Sequence, residues 1–218
     1  MKYIYHHLGL GDHIICNGLV RHFKELYGEL SVFCKNHNVE NVKYMFRDEP
    51  KIKIIEIVDD FQVDTFIYQN QIQNDLIKVG FFNDGSEKTF DKFFYKMVNI
   101  PFEFRYSKFY YERNTTIEEE VFQKYNSDNS EYIFVHGQID FSKVRNDLKI
   151  ITNPIEYRIF DLLKLIENAT EVHLMESSIK CLVNSYIFNK PKFFYHQYVR
   201  KYDDFHFSLG LNSFTTIF

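Results

Sequence analysis

The chain contains no tryptophan, and proline, cysteine and glycine are sparse, with 4, 3 and 8 residues among 218. Because proline and glycine are scattered, no stretch of the sequence is typical of a flexible linker or a low-complexity segment. The cysteines are odd in number and lack Cys-x-x-Cys spacing, which favours a reducing compartment over a disulfide framework. No apolar run approaches the ~20 residues of a membrane-spanning helix. The sequence therefore predicts a cytoplasmic protein that is soluble, or at most peripheral to a membrane, and has no membrane span.

An excess of positive charge is also missing. The net charge is −4 at pH 7, so no global field attracts nucleic acid or an anionic membrane. Histidines and an aspartate interrupt the apolar residues that follow Met1, which argues against a secretory signal peptide. What the chain does have is a 45% hydrophobic content over 218 residues. That is enough to bury the core of one ordinary domain or of two small ones.

Short apolar strands alternate with helices along the chain, which predicts parallel strand pairing and a layered α/β fold. The expected strands of the first half are Tyr3–His6, Leu30–Cys34, Lys51–Ile57 and, as a fourth, Thr65–Tyr68, with helices at about 14–27, 39–46 and 87–98. The expected strands of the second half are Tyr132–His136, Lys149–Ile151, Glu171–Met175 and Lys192–Tyr195, with helices at about 117–125, 160–166 and 177–188. The polar segment 112–130 separates the halves. It predicts two domains, 1–115 and 116–218.

The first candidate site follows the first predicted strand, in the segment Gly9-Leu-Gly-Asp-His13. Gly9 and Gly11 lack a Cβ, so the backbone there can turn sharply and approach a ligand. Asp12 and His13 can exchange protons near neutral pH. This is not a dinucleotide fingerprint, because Ile14 occupies the third glycine position, and no P-loop motif occurs. The alternative interpretation is a plain strand-to-helix turn in which Asp12 caps the helix.

Two candidate anion sites lie in the second half. Glu176, Ser177 and Ser178 precede a predicted helix, where hydroxyls and free backbone N–H groups suit a diphosphate and the glutamate suits ribose hydroxyls. His136 ends a predicted strand and Arg145 follows in the next loop, so both could hold phosphate in one crevice. The alternative is that a serine merely caps its helix and the arginine is solvated. No Asp-x-Asp triplet and no histidine–carboxylate grouping predicts a metal site.

Together these motifs resemble the small GT-B-fold glycosyltransferases that are distantly similar to heptosyltransferases. The matching segments are Gly9, Gly11 and Asp12 at the opening, Val135-His136 with Arg145 at the start of the second half, and His173-Leu-Met-Glu-Ser-Ser178 before the later helix. The resemblance implies two Rossmann-like domains facing a cleft. It also implies metal-independent transfer of a sugar from a nucleoside-diphosphate donor to a hydroxyl of a glycan acceptor, with no cofactor.

The same resemblance implies roles for particular residues. Ser177, Ser178 and Arg145 would hold the diphosphate, and the helix N-terminus would neutralise charge as a metal does in other sugar transferases. Asp12 would be the base on the acceptor hydroxyl, which favours inversion, with His13 as its neighbour or substitute. Three other functions stay open: a non-catalytic nucleotide- or glycan-binding module of the same fold, a scaffold with a Phe- and Tyr-rich surface, and a nucleotide-sugar hydrolase.

Overall fold

The computed structural model describes residues 1–82, 85–199 and 210–218. Within these ranges the chain divides into two compact units, which meet in sequence between Glu112 and Arg113. The sequence Asn83-Asp84-Gly85 is typical of a turn, but its first two residues lie outside the described ranges. The acidic pair Asp203-Asp204, which by composition predicts a solvated turn, lies wholly outside them. The domain boundaries expected from the sequence, and the cleft between the domains, stay predictions.

Unit 1 is built on a four-stranded, wholly parallel sheet with the strand order β3-β2-β1-β4. Its strands are β1 (Lys2–Tyr5), β2 (Leu30–Lys35), β3 (Ile52–Ile57) and β4 (Leu76–Lys78). Its helices are α1 (Leu10–Ile15), α2 (Asn17–Tyr27), α3 (Val39–Met45), α4 (Asp60–Asn70), α5 (Phe90–Met97) and α6 (Phe104–Ser107), with short 3-10 turns at Asn36–Asn38 and Gln73–Asp75. Strand β2 is buried along almost its whole length, as expected for a parallel strand covered on both faces.

Unit 2 is built on a five-stranded parallel sheet with the order β6-β5-β7-β8-β9. Its strands are β5 (Tyr132–His136), β6 (Lys149–Thr152), β7 (Glu171–Leu174), β8 (Lys192–His196) and β9 (Phe214–Ile217). Its helices are α7 (Thr115–Asn126), α8 (Leu163–Asn168) and α9 (Ser178–Val183), with 3-10 turns at Phe141–Lys143, Ile159–Leu162 and Gln197–Val199. No helix in the described ranges is long and apolar enough to cross a bilayer.

Close packing fixes α6 against α2 in unit 1. A Cβ placed on Gly18 of α2 would lie 1.9 Å from the main-chain oxygen of Phe104, so only glycine fits there. This approach brings Arg105 into the protein interior, where its guanidinium forms an ion pair with Asp91 of α5. Both side chains have 0% exposure. Unit 1 therefore contains a fully buried ion pair between α5 and α6.

The predicted α/β class and the parallel strand pairing are confirmed, but several elements differ. Thr65–Tyr68 lies inside α4 rather than in a strand, because Asp59 caps a helix there by accepting a 2.9 Å hydrogen bond from the Gln62 N–H. The first predicted helix is two helices, α1 and α2, separated at Cys16. The helix expected at 177–188 ends at Val183. Strands β4 and β9 have no counterpart among the predicted elements.

Candidate functional site

Each sheet has one point at which the strand order reverses, and α/β proteins bind ligands beyond the carboxyl ends of the strands at such a point. In unit 1, β2 and β4 flank β1 on opposite sides, and in unit 2, β6 and β7 flank β5. The carboxyl ends of β1 and β5 are therefore the expected ligand positions of the two units. The segment Gly9–His13 follows β1 and His136 ends β5, so both sequence-predicted segments lie at these positions.

The segment Gly9–His13 is the first turn of a helix rather than a glycine loop. Gly9 is the N-cap of α1 with an extended backbone (φ −71°, ψ 149°), and Gly11 lies within α1. The Asp12 carboxylate folds back and accepts hydrogen bonds from the backbone N–H groups of Gly9 and of Asp12 itself. A Cβ at Gly9 would lie 2.6 Å from Asp12 Oδ2. The chain bends at Gly9, but neither Gly9 nor Gly11 has a positive φ, and the space that Gly9 leaves is filled by the aspartate.

This contact is one half of a capping box, in which an acid three residues after the N-cap satisfies the N-cap N–H group; Gly9 has no side chain to supply the other half. It supports the interpretation of Asp12 as a helix cap. The carboxyl group nevertheless has an unusually high pKa. Burial raises the pKa of Asp12 to about 7, and the two backbone hydrogen bonds oppose that rise. A carboxyl group whose pKa lies near neutral pH can accept a proton in one step and release it in the next.

His13 lies on the buried face of α1, with 1% exposure, beside the fully buried His6. The two rings meet edge to face with centroids 4.3 Å apart. Burial lowers the pKa of His13 well below its usual value and lowers the pKa of His6 to about 4. Neither ring nitrogen of His13 has a hydrogen-bond partner among the described residues. At neutral pH both rings are therefore uncharged side chains of the interior.

In unit 2, the structure does not bring His136 and Arg145 together. Arg145 forms ion pairs with Asp147 and, at 3.3 Å, with Glu171. Glu171 lies opposite Ile133 at the start of β7, whereas His136 lies opposite Leu174 at the end of the same strand. Three strand residues separate the two levels by about 10 Å. Arg145 therefore lies toward the amino ends of the strands, away from the expected ligand position.

A different cation of the same loop lies toward the carboxyl ends of the strands. Lys143 Nζ donates a 2.5 Å hydrogen bond to the main-chain oxygen of Phe218, which directly follows β9. The same ammonium group lies 4.2 Å from the ring centroid of Tyr198, just after β8. The Lys143 side chain is exposed. It is therefore better placed than Arg145 to meet an anionic ligand at this end of the sheet.

Glu176, Ser177 and Ser178 connect β7 to α9. Ser177 is the N-cap of α9, because its Oγ accepts a 3.3 Å hydrogen bond from the Lys180 N–H, and Ser178 is the first helical residue. Glu176 is buried, and its Oε2 accepts hydrogen bonds from Lys180 Nζ (2.7 Å) and from the Tyr195 hydroxyl (2.9 Å). The structural interpretation of Ser177 as a cap is thus observed, and Glu176 already has an internal cationic partner.

No group of three or more His, Cys, Asp or Glu side chains that could hold a metal ion occurs in the described parts of the chain. The three cysteines are buried and form no disulfide. For Cys16, which follows Asp12 by one helical turn, burial raises the pKa of the thiol well above its usual value. That thiol is protonated at neutral pH and is not a nucleophile.

Comparison with solved structures identifies the fold. A glycosyltransferase of family 9 from Veillonella parvula DSM 2008 superposes with a TM-score of 0.59 at 7% identity, over 99% of this chain and 86% of that one. The ADP-heptose LPS heptosyltransferase II of E. coli superposes with a TM-score of 0.60 at 8% identity, over 100% of this chain and 90% of that one. The fold is heptosyltransferase-like. The resemblance inferred from the short motifs is confirmed at this level.

No protein-family model matches the chain, and no curated protein matches it. The likeness to the two glycosyltransferases is consequently one of fold, at identities of 7% and 8%.

Sequence reasoning missed several residues at these positions. The spacing of Glu176 and Lys180, four residues apart, is typical of an ion pair on a helix and was the one available signal for that contact. Lys143 and Asn153 carry no such pattern, because only the order of the strands brings the loop after β5 and the residue after β6 to the same end of the sheet.

Proposed function

We propose that this chain is a glycosyltransferase that moves a sugar from a nucleoside-diphosphate donor to a hydroxyl acceptor without a metal ion. The observation that carries the proposal is Asp12, a carboxyl group with a pKa of about 7 at the carboxyl end of the central strand β1. The fold likeness to two glycosyltransferases supports the same reaction class.

In the proposed reaction, Asp12 removes the proton from the acceptor hydroxyl as its oxygen attacks the anomeric carbon of the donor. The bond from that carbon to the diphosphate oxygen breaks, and the nucleoside diphosphate leaves with the electron pair. A single displacement of this kind inverts the anomeric centre. We assign His13 no part in this chemistry, because its ring is enclosed next to His6 and burial, which lowers its pKa well below the usual value, makes it a weak proton acceptor.

Unit 2 is the proposed donor-binding part. The diphosphate that leaves needs positive charge nearby, and Lys143 supplies an exposed ammonium group at the carboxyl ends of the strands. Ser178 adds a hydroxyl group at the start of α9. Arg145 is not assigned this role, since Asp147 and Glu171 hold it toward the opposite ends of the strands.

A second candidate is a nucleotide- or glycan-binding module without catalysis. It is favoured by the capping contact of Asp12, because hydrogen bonds from the Gly9 and Asp12 N–H groups give this carboxylate a structural role that needs no catalysis. A protein whose Asp12 only caps α1 would lack transfer activity and could still bind nucleotide in unit 2.

The test is a thermal-shift screen against UDP, GDP, ADP, CMP and dTDP sugars with EDTA present, followed by turnover assays on each hit. A ligand at 100 times its Kd stabilises a folded protein by about 2.7 kcal/mol, which raises the melting temperature measurably. The proposal expects a hit in EDTA and release of nucleoside diphosphate that depends on an added glycan acceptor. Binding without turnover supports the module, and release without acceptor dependence supports a hydrolase. A folded protein that binds none of these nucleotides contradicts the proposal.

The loop after β5 offers a matched pair of variants. We expect Lys143→Ala to weaken binding of the nucleoside diphosphate about 10- to 100-fold, the usual range for a lost hydrogen bond to a charged group. Arg145→Ala removes a cation two residues away and should leave the affinity within about threefold. Isothermal titration of both variants with the nucleotide from the screen measures the difference. Equal losses for the two variants would contradict the assignment of Lys143.

A further inference from the structure

One face of the unit 2 sheet carries a row of side chains across the carboxyl ends of four neighbouring strands. His136 of β5 lies opposite Leu174 of β7, which lies opposite Tyr195 of β8. Asn153 directly follows β6, and its N–H donates a 2.9 Å hydrogen bond to the Val135 oxygen, so it lies beside His136. Paired residues of parallel strands point to the same face of a sheet. These side chains therefore form a continuous row, here called the edge row.

Glu176 joins the edge row through a hydrogen bond. The Tyr195 hydroxyl donates to Glu176 Oε2 at 2.9 Å, and Lys180 Nζ donates to the same oxygen at 2.7 Å. The second carboxylate oxygen, Oε1, takes part in neither of these hydrogen bonds. It is buried and has no hydrogen-bond partner among the described residues.

The edge row contains two more polar atoms that are buried and lack a hydrogen-bond partner in the described part of the chain. Asn153 Oδ1 and His136 Nδ1 are both shielded from solvent and have no hydrogen-bond partner in the described ranges. A buried polar atom without a partner costs about 1–3 kcal/mol, so native proteins rarely leave one unpaired. Here three such atoms come from segments that follow or end the adjacent strands β6, β5 and β7.

The chemistry of these atoms selects a class of ligand group. Asn153 Oδ1 and Glu176 Oε1 are oxygens that only accept hydrogen bonds. Burial lowers the pKa of His136 to about 4, so its ring is uncharged at neutral pH. A carboxylate oxygen repels phosphate, and the ammonium group of Lys180, which contacts the row, is paired with Glu176. The edge row therefore suits a neutral group that donates hydrogen bonds.

We propose that Asn153 and His136 are specificity-determining residues which, with Glu176, bind neighbouring hydroxyl groups of the nucleotide-sugar donor. This inference rests on the proposed function, because it needs a donor in unit 2. The hydroxyls belong either to the ribose or to the transferred sugar, and both present vicinal O–H donors. Sites that hydrogen-bond a hydroxyl reject analogues that lack it, since their own polar atoms are then left unpaired.

The test compares hydroxylated and deoxy ligands on Asn153→Leu, which keeps a similar side-chain volume and removes the acceptor oxygen. The probes are the nucleoside diphosphate from the screen, its 2′-deoxy form, and the matching nucleotide sugars with and without the sugar's 2-hydroxyl. We expect the wild-type protein to prefer one hydroxylated ligand at least tenfold, and Asn153→Leu to reduce that preference to about threefold or less. The ligand pair that shows the preference identifies the source of the hydroxyls.

Two further variants make the result decisive. Asn146→Leu changes an exposed asparagine of the same unit and should keep the wild-type preference. Asn153→Asp retains an acceptor oxygen, so it should keep the preference even if Asn153→Leu fails to fold. Nucleotide binding with no preference in the wild type, or with an unchanged preference in Asn153→Leu, overturns this inference and leaves the proposed function standing. If the wild type binds no nucleotide, the proposed function fails and this inference falls with it.

Discussion

Replacing Asp12 with asparagine should lower the rate constant of sugar transfer about 10²- to 10⁴-fold, the usual contribution of a positioned general base. The amide keeps the size of the side chain and an oxygen that can accept the Gly9 N–H, so this contact at the start of α1 and the fold should survive. Only the ability to take a proton is lost. Transfer is measured at saturating donor and acceptor, and donor affinity is measured separately by titration.

The matched control is Asp59→Asn, because Asp59 is also a carboxylate that caps a helix, and it follows the edge strand β3. That variant should turn over like the wild type. Since burial raises the pKa of Asp12 to about 7, its basic form accumulates above pH 7, and the wild-type rate should rise through that pH. Full activity in Asp12→Asn would show that another group is the base.

Replacing Asp91 with alanine should reduce the free energy of unfolding by about 3–5 kcal/mol, the range observed when one partner of a buried ion pair is removed. The guanidinium of Arg105 would stay enclosed without its carboxylate, since both side chains have 0% exposure. A loss of that size is a large share of the 5–15 kcal/mol by which native proteins are stable. Urea unfolding followed by circular dichroism measures it.

Glu156→Ala is the control for this loss, because Glu156 forms a surface ion pair with Lys124 in which both side chains are about half exposed. Exposed pairs contribute about 0–1 kcal/mol, so little change is expected. The double variant Asp91→Leu with Arg105→Met removes both charges and should recover part of the lost stability. A single Asp91→Ala variant as stable as the wild type would mean that the pair is not enclosed in solution.

The sequence predicts an element correctly where that element depends on interactions between residues close together in the chain. Strand Tyr132–His136 matches β5 residue for residue, because a compact apolar run bounded by polar residues is a strong local signal. Thr65–Tyr68 has similar composition but belongs to α4, where the Asp59 cap and burial of Val63 and Ile67 favour a helix. Short apolar segments fit either element, and periodicity alone does not separate them.

The sequence predicts where the candidate site lies in the fold, but it does not predict which residues its side chains contact. The placement of Asp12 after the central strand follows from the motif, but its contact with Gly9 depends on where α1 begins. Arg145 was expected near His136 because both belong to one loop region, yet the ion pair with Glu171 draws it toward the other ends of the strands. Contacts between residues far apart in sequence, such as Asp91 with Arg105, leave no local pattern to detect.

The order in which the strands leave the ribosome differs from their order in space. All four strands of unit 1 lie within the first 78 residues, so its sheet can close while later parts of the chain are still being synthesised. In the unit 2 sheet, β9 is the last described strand and pairs only with β8, so β8 has an open edge until residues 214–217 emerge. An open parallel edge pairs readily with other chains. The β8 edge is therefore open to misassembly in the interval between the synthesis of β8 and the synthesis of β9.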